Sequence, residues 1–205
     1  MTGSRPAVFW VNLALKAALV SLLLFSALSG LERFEGKAMT GRALTYPLAA
    51  VIVPAVWWYL RRRRPGLAYP YALDILLVLP FLIDVAGNAL DLYDTVGWWD
   101  DANHFVNWGL LTAAFGQLLV RLPVGPWVAG GLALGFGAVT AVLWEFAEYF
   151  TFIRDSPEEE TAYTDTLGDL ALGLSGSAIA ALVTAWLVSR RGRAAASPPQ
   201  GRRPA

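Results

Sequence analysis

The sequence predicts an all-α fold: a polytopic integral membrane bundle of about six transmembrane helices. Three observations carry that prediction. Hydrophobic residues make up 56% of the 205-residue chain and charged residues only 16%, against roughly 25% charged in soluble domains. Mean hydropathy is +0.48. Six long apolar stretches are separated by short polar or Gly/Pro breaks, each stretch near the length of about 20 residues that crosses hydrocarbon. The chain length suits one domain. The absence of cysteine excludes disulfides, thiolate metal sites, iron–sulfur clusters and cysteine nucleophiles. Equal numbers of basic and acidic residues, 16 of each, leave no basic footprint for nucleic acid.

The first stretch, 7–30, has a feature of a signal peptide: Arg5 precedes an apolar run that ends at the small residues Ser26 to Gly30. Its length and its internal Asn12 and Lys16 favour an uncleaved helix. Glu32 to Lys37 separates it from the second stretch, 43–60, which stops at Arg61–Arg64 and Pro65-Gly66. The third, 70–92, ends before Trp98 to Asp101. The fourth, 103–121, and the fifth, 124–150, are divided at Leu122-Pro123-Val124-Gly125-Pro126. Polar residues Arg154 to Thr164 precede the sixth, 167–189. Residues 1–189 therefore read as one membrane domain. Residues 190–205, with Ser197-Pro198-Pro199 and Arg202-Arg203, read as a disordered basic cytoplasmic tail.

Basic residues near helix ends predict orientation. With Arg61–Arg64 in the cytoplasm, eleven of the 16 basic residues fall inside, among them Arg5, Arg121, Arg190, Arg191 and Arg193. Arg33, Lys37, Arg42 and Arg154 fall outside, and Lys16 lies within the first helix. Both termini are then cytoplasmic. Of the 16 acids only Asp74 falls in the cytoplasmic half. Trp57, Trp58, Trp98 and Trp99 suit an interfacial aromatic belt. Trp98-Trp99, beside the acids, also suit the wall of a lipid or sugar pocket.

Asp84, Glu145, Glu148 and Asp169 lie in or near predicted spans, where an ionisable group is costly and ordinarily faces a bundle interior or a water-filled cavity. Helical spacing gathers further polar groups around them. Asp84, Asn88 and Asp91 share a stripe at i, i+4 and i+7. Asp100 and His104 stand at i, i+4, with Asp101 and Asn107 three residues either side of the histidine. Glu145 and Glu148 are at i, i+3, and Asp165 and Asp169 at i, i+4. Carboxylates with one imidazole form an oxygen-rich set suited to a divalent cation such as Mg²⁺, Ca²⁺ or Mn²⁺, or to non-haem iron. The predicted metal ligands are Asp100, His104, Glu145, Glu148, Asp165 and Asp169, with Asp84, Asn88 and Asp91 as a second tier. No nucleotide or haem motif is present, and no catalytic residue is assigned.

Three motifs also carry a family resemblance: Trp99-Asp100-Asp101-Ala102-Asn103-His104-Phe105, Trp144-Glu145-Phe146-Ala147-Glu148-Tyr149, and Asp165-Thr166-Leu167-Gly168-Asp169-Leu170. Together they resemble the bacterial inner-membrane family typified by YjdF and, more distantly, VanZ-like proteins. The resemblance covers about residues 70–190 and implies a multi-pass inner-membrane protein with Asp100, His104, Glu145, Glu148, Asp165 and Asp169 as the family-like positions. VanZ-like proteins are associated with glycopeptide resistance, which implies envelope or lipid chemistry. Glu148 departs from that pattern, in which Gln is usual.

Three functions remain open on these residues. The first is a divalent-metal site acting on an envelope lipid or lipid-linked substrate. The others are an ion or proton carrier and a structural membrane subunit. Gly173-Leu174-Ser175-Gly176 matches the rhomboid GxSG, but the one histidine precedes it. Gly173, Gly176, Ser177 and Ala180 read instead as a small-residue packing face, as do Gly131 to Gly135 on the fifth helix.

Overall fold

Glycine lets helix backbones approach closely, and two such approaches organise the computed structural model, which describes residues 6–196. The described residues form α1 (Ala7–Leu28), α2 (Met39–Thr45), α3 (Pro47–Arg63), α4 (Tyr71–Ala89), α5 (Leu92–Thr95), α6 (Trp99–Leu119), α7 (Pro126–Glu148) and α8 (Ala162–Ala196), with no strand among them. Five helical segments are long and apolar enough to cross a membrane: Ala7–Leu28, Met39–Arg63, Tyr71–Ala89, Pro126–Thr151 and Ala162–Arg193. The all-helical membrane architecture read from the sequence is thus present. α6 has the length, but Asn103, His104, Asn107 and Gln117 lower its hydropathy. It packs against α4, α7 and α8.

α6 and α8 run parallel. A Cβ on Gly176 would fall onto the carbonyl oxygen of Phe105, and one on Gly109 would lie 3.3 Å from the carbonyl oxygen of Gly176. α7 runs antiparallel to both, and Gly137 sits against the hydroxyls of Thr112 and Ser177, which bond each other at 3.0 Å. Of the expected packing faces, Gly173, Gly176, Ser177 and Ala180 are buried. On α7 the expectation holds at Ala133 but not at the two glycines: Gly131 and Gly135 meet open space, while Ala129, Ala133, Gly137 and Ala141 form the buried stripe. A leucine at position 132 or 134 marks the hydrophobic run but not its inward side, because hydrocarbon accepts apolar residues on every face.

The other half of the bundle is built on α4. Leu19 and Leu23 of α1 pack with Tyr46, Val78 and Val85. Lys16 of α1 meets Asp74 of α4 at 2.6 Å, and the Tyr69 hydroxyl also donates to Asp74. The carboxylate is fully buried, so each partner cancels a charge that neither could carry alone in this setting. At the far end of α3, Arg61, Arg62 and Arg63 lie over Trp57, Trp58 and Tyr59, combining basic anchors with an aromatic girdle.

Helix bounds differ from the sequence reading where caps and kinks intervene. The 43–60 stretch is α2 plus α3, joined at Tyr46-Pro47, where proline lacks the amide to continue the ladder. The 70–92 stretch ends at Ala89, and Asp91 takes a left-handed φ of 62°. α6 begins at Trp99, so Asp100 and Asp101 are in its first turn. α7 passes into a π-helical turn at Tyr149–Ile153. α8 continues through Arg190 to Ala196, into the segment read as tail; residues 197–205 of that tail lie outside the described residues.

Two substitution sets test this packing by thermal unfolding of detergent-solubilised protein. Gly176→Ala should cost about 1–3 kcal/mol through overpacking, while Gly131→Ala, facing open space, should cost nothing measurable. Lys16→Met should cost about 3–5 kcal/mol by leaving Asp74 uncompensated, and Lys16→Met with Asp74→Leu should recover most of it.

Candidate metal centre

The N-termini of α6 and α8 and the C-termini of α4 and α7 meet at one end of the bundle, opposite the ends that carry Arg61–Arg63, Arg121, Arg190 and Arg191. The parallel α6–α8 crossing sets the register that brings His104 beside Asp169. His104 Nδ1 lies 3.0 Å from Asp169 Oδ1, 3.3 Å from the Asp100 carbonyl oxygen and 3.7 Å from Asp100 Oδ1. On the other edge of the ring, Nε2 lies 3.5 Å from Glu145 Oε1 and 3.9 Å from Glu148 Oε2. His104, Glu145 and Asp169 are buried. Glu145 Oε1 has no hydrogen-bond partner among the described residues.

Potential ligand atoms therefore converge in two groups that share the histidine: Asp100, His104 and Asp169, and His104, Glu145 and Glu148. Asp169 is the closest carboxylate to Nδ1, and Nε2 faces the two glutamates. Asp165, one turn before Asp169, is exposed. It lines the outer cavity but joins neither ligand group among the described residues.

The second tier has a different role. Asp84 accepts from Arg42 Nε at 3.0 Å, Tyr46 at 2.6 Å and Tyr93 at 2.9 Å. Asn88 donates to the Asp84 backbone carbonyl at 3.0 Å. Arg42 is itself tied to the carbonyl oxygen of Lys37. The Asp84 carboxylate is thus occupied by an ion pair and two hydroxyls, Asn88 spends its amide on the same residue, and Asp91 has left the helical stripe. Neither aspartate joins a ligand group among the described residues; spacing along one helix cannot report that a cation arrives from another. The available signal was Arg42, one of four basic residues assigned to the acidic side.

Two cavities adjoin the centre. An outer one of about 620 Å³ is polar and includes Glu32, Lys37, Asp94, Asp165 and Asp169. An inner one of about 260 Å³ is walled largely by Phe81, Trp108, Leu111, Phe136 and Trp144. Arg42, Tyr93, Asp100 and Glu148 line both. Burial and the neighbouring Asp84 charge push the Tyr93 hydroxyl well above its usual range, so it stays protonated and donates. At the rim, the hydrogen bond from Lys37 lowers the Asp94 pKa.

The family model described as "Predicted membrane protein (DUF2238)" matches residues 12–190. The chain belongs to this family. A protein of Thermotoga maritima titled "Uncharacterized protein" is 34% identical over 101 residues, 47% of this chain and 52% of that protein. The chain thus spans about half the length of the curated relative it matches. No solved structure matches. The family match covers all three acidic motifs, and with them both ligand groups.

The Asp94–Lys37 pair supplies a pH test. Because the folded pKa is lowered, its contribution is full above the ordinary Asp value of 3.8 and fades as pH falls below it, through the depressed value. Asp94 is more than half exposed, so Asp94→Asn should cost less than about 1 kcal/mol at neutral pH and nothing once the wild-type carboxyl is protonated. Thermal unfolding of both proteins across that pH range checks it.

Proposed function

We propose that this chain binds a divalent cation between His104, Glu145 and Glu148 and presents it to an envelope lipid or lipid-linked substrate. One observation carries the reading: a buried glutamate oxygen, with no hydrogen-bond partner among the described residues, stands 3.5 Å from Nε2 of a buried imidazole. Ligand atoms held at about 2.1 Å around a tetrahedral ion are separated by about 3.4 Å. The Nε2 distances of 3.5 and 3.9 Å to the two glutamates suit that spacing. Asp169 on Nδ1 then serves as the carboxylate that orients a metal-binding histidine. Asp100 and Asp165 line the approach and are reserve ligands. A cation in this position supplies a Lewis acid at the mouth of an apolar cavity.

The distribution of basic residues favours six passes, with the arginine end cytoplasmic and the centre facing outward. The motif resemblance to YjdF-type proteins favours the bacterial inner membrane. Carriage of an ion across the bilayer is less favoured. Below the centre, Gly137, Thr112 and Ser177 pack against one another, closing the polar interior of α6, α7 and α8. A purely structural cluster would pair its charges as Asp74 and Asp84 do, whereas the acids around His104 outnumber the one imidazole.

Manganese titration by electron paramagnetic resonance, with metal analysis of detergent-purified protein, tests the reading. Wild type should bind one ion per chain. His104→Ala and Glu145→Gln should lose it. Asp169→Asn should weaken it by about 10–100-fold while preserving stoichiometry, and Asp84→Asn should leave it nearly unchanged. No bound ion after divalent supplementation, or equal retention by His104→Ala and Glu145→Gln, overturns the assignment. Cation-dependent uptake into proteoliposomes would favour the carrier.

A further inference from the structure

The inner cavity has features that the cation site does not use. It extends from His104 to Leu111 along α6, about 10 Å at the helical rise of 1.5 Å per residue. Its wall is apolar on three sides, with Phe81 and Pro80 of α4, Trp108 and Leu111 of α6, and Phe136 and Trp144 of α7. It shares its mouth with the polar outer cavity. A ligand that fills both has an apolar chain below the cation and a polar head beside it.

Charge and hydrogen bonding restrict the head. Among the described residues, nine acidic side chains line the two cavities, against three basic ones. Two of the basic groups already face acids, Arg42 on Asp84 and Lys37 on Asp94. Arg33 donates to the Ala89 carbonyl oxygen. One divalent ion leaves a negative surplus, which repels a phosphate head.

Asn107 adds an independent constraint. Asn103 Nδ2 donates to the Trp99 carbonyl oxygen, so Asn103 presents its oxygen to Asn107, whose Nδ2 donates to it at 3.0 Å. That chain fixes the Asn107 amide with Oδ1 as its remaining acceptor. Asn107 lines that cavity one turn below His104, and its Oδ1 is buried without a partner among the described residues. It calls for a donor, a hydroxyl or an amide N–H, of which a fully ionised phosphate group has none to supply.

We infer that the site takes a single-chain lipid with an uncharged, hydroxyl-bearing head group, the chain in the inner cavity and a hydroxyl on Asn107 Oδ1. The inference deepens the proposed cation-dependent function and rests on it for the position of the head.

Binding of monodecanoylglycerol, decyl phosphate and glycerol to the full chain in nanodiscs, with and without Mn²⁺, tests it. Monodecanoylglycerol should bind at least about tenfold more tightly than decyl phosphate, a difference worth about 1.4 kcal/mol, and glycerol should not bind measurably. Leu111→Trp, filling the cavity, should abolish monodecanoylglycerol binding. Asn107→Leu should weaken it about fivefold to tenfold, on the scale of one hydrogen bond. Both variants should keep wild-type Mn²⁺ affinity, which also reports folding. Mn²⁺ binding with decyl phosphate bound equally well or better overturns the head-group assignment and leaves the cation site standing. Monodecanoylglycerol affinity unchanged in both variants overturns the cavity assignment. Selective binding of monodecanoylglycerol with no Mn²⁺ binding supports the lipid inference and overturns the cation site.

Discussion

At the crossing of α6 and α8 the two backbones touch, Gly109 against Gly176, and the geometry of the acidic end follows from that contact. A side chain at Gly176 would push against the Phe105 carbonyl, next to the histidine. With both residues glycine, His104 reaches the level of Asp169, and α7 can close over the pair through Gly137. In hydrocarbon there is little hydrophobic drive for helices to associate, so close packing of small residues supplies much of the attraction. The same contacts that hold the helices together therefore also set the distances at the site.

The bilayer sets a second constraint: a carboxylate at depth needs a counter-charge or donors. The chain meets it in two ways. Asp74 has Lys16 and Tyr69; Asp84 has Arg42, Tyr46 and Tyr93. Each of these clusters joins α4 to an earlier part of the chain, and each matches its negative charge locally. Around His104 the balance differs. Asp100, Glu145, Glu148 and Asp169 surround one imidazole, four acids against a single basic group. The contrast within a single molecule separates pairing that fastens helices from an arrangement suited to an added cation.

Much of the fold was legible because a membrane span needs a long apolar run, and such runs stand out along the chain. Even so, α6, which carries His104, has no stretch as apolar as those of the five segments able to span a membrane, since its polar residues face neighbouring helices rather than lipid. The three acidic motifs were also legible, as polar groups recur at helical spacing in segments where they are costly. Their division was not. Asp84 and Asn88 obey the same spacing rule as Asp165 and Asp169, but Arg42 reaches Asp84 across 42 positions. The inward face of α7 was misassigned for a related reason: glycine at positions 131 and 135 and glycine at position 137 look alike in sequence, and only the last has a helix against it.

The sequence by itself determined that this is an all-helical membrane protein with its acids gathered toward one end and its arginines toward the other. Those are properties of composition and periodicity, which lipid and water act on segment by segment. Tertiary structure decided which carboxylates are neutralised and which converge on His104. It also decided that a largely apolar cavity, lined in part by Asn107, opens beneath them. These depend on helix register and crossing, where a shift of one turn moves a side chain by about 5.4 Å and separates an ion pair from two charges that never meet.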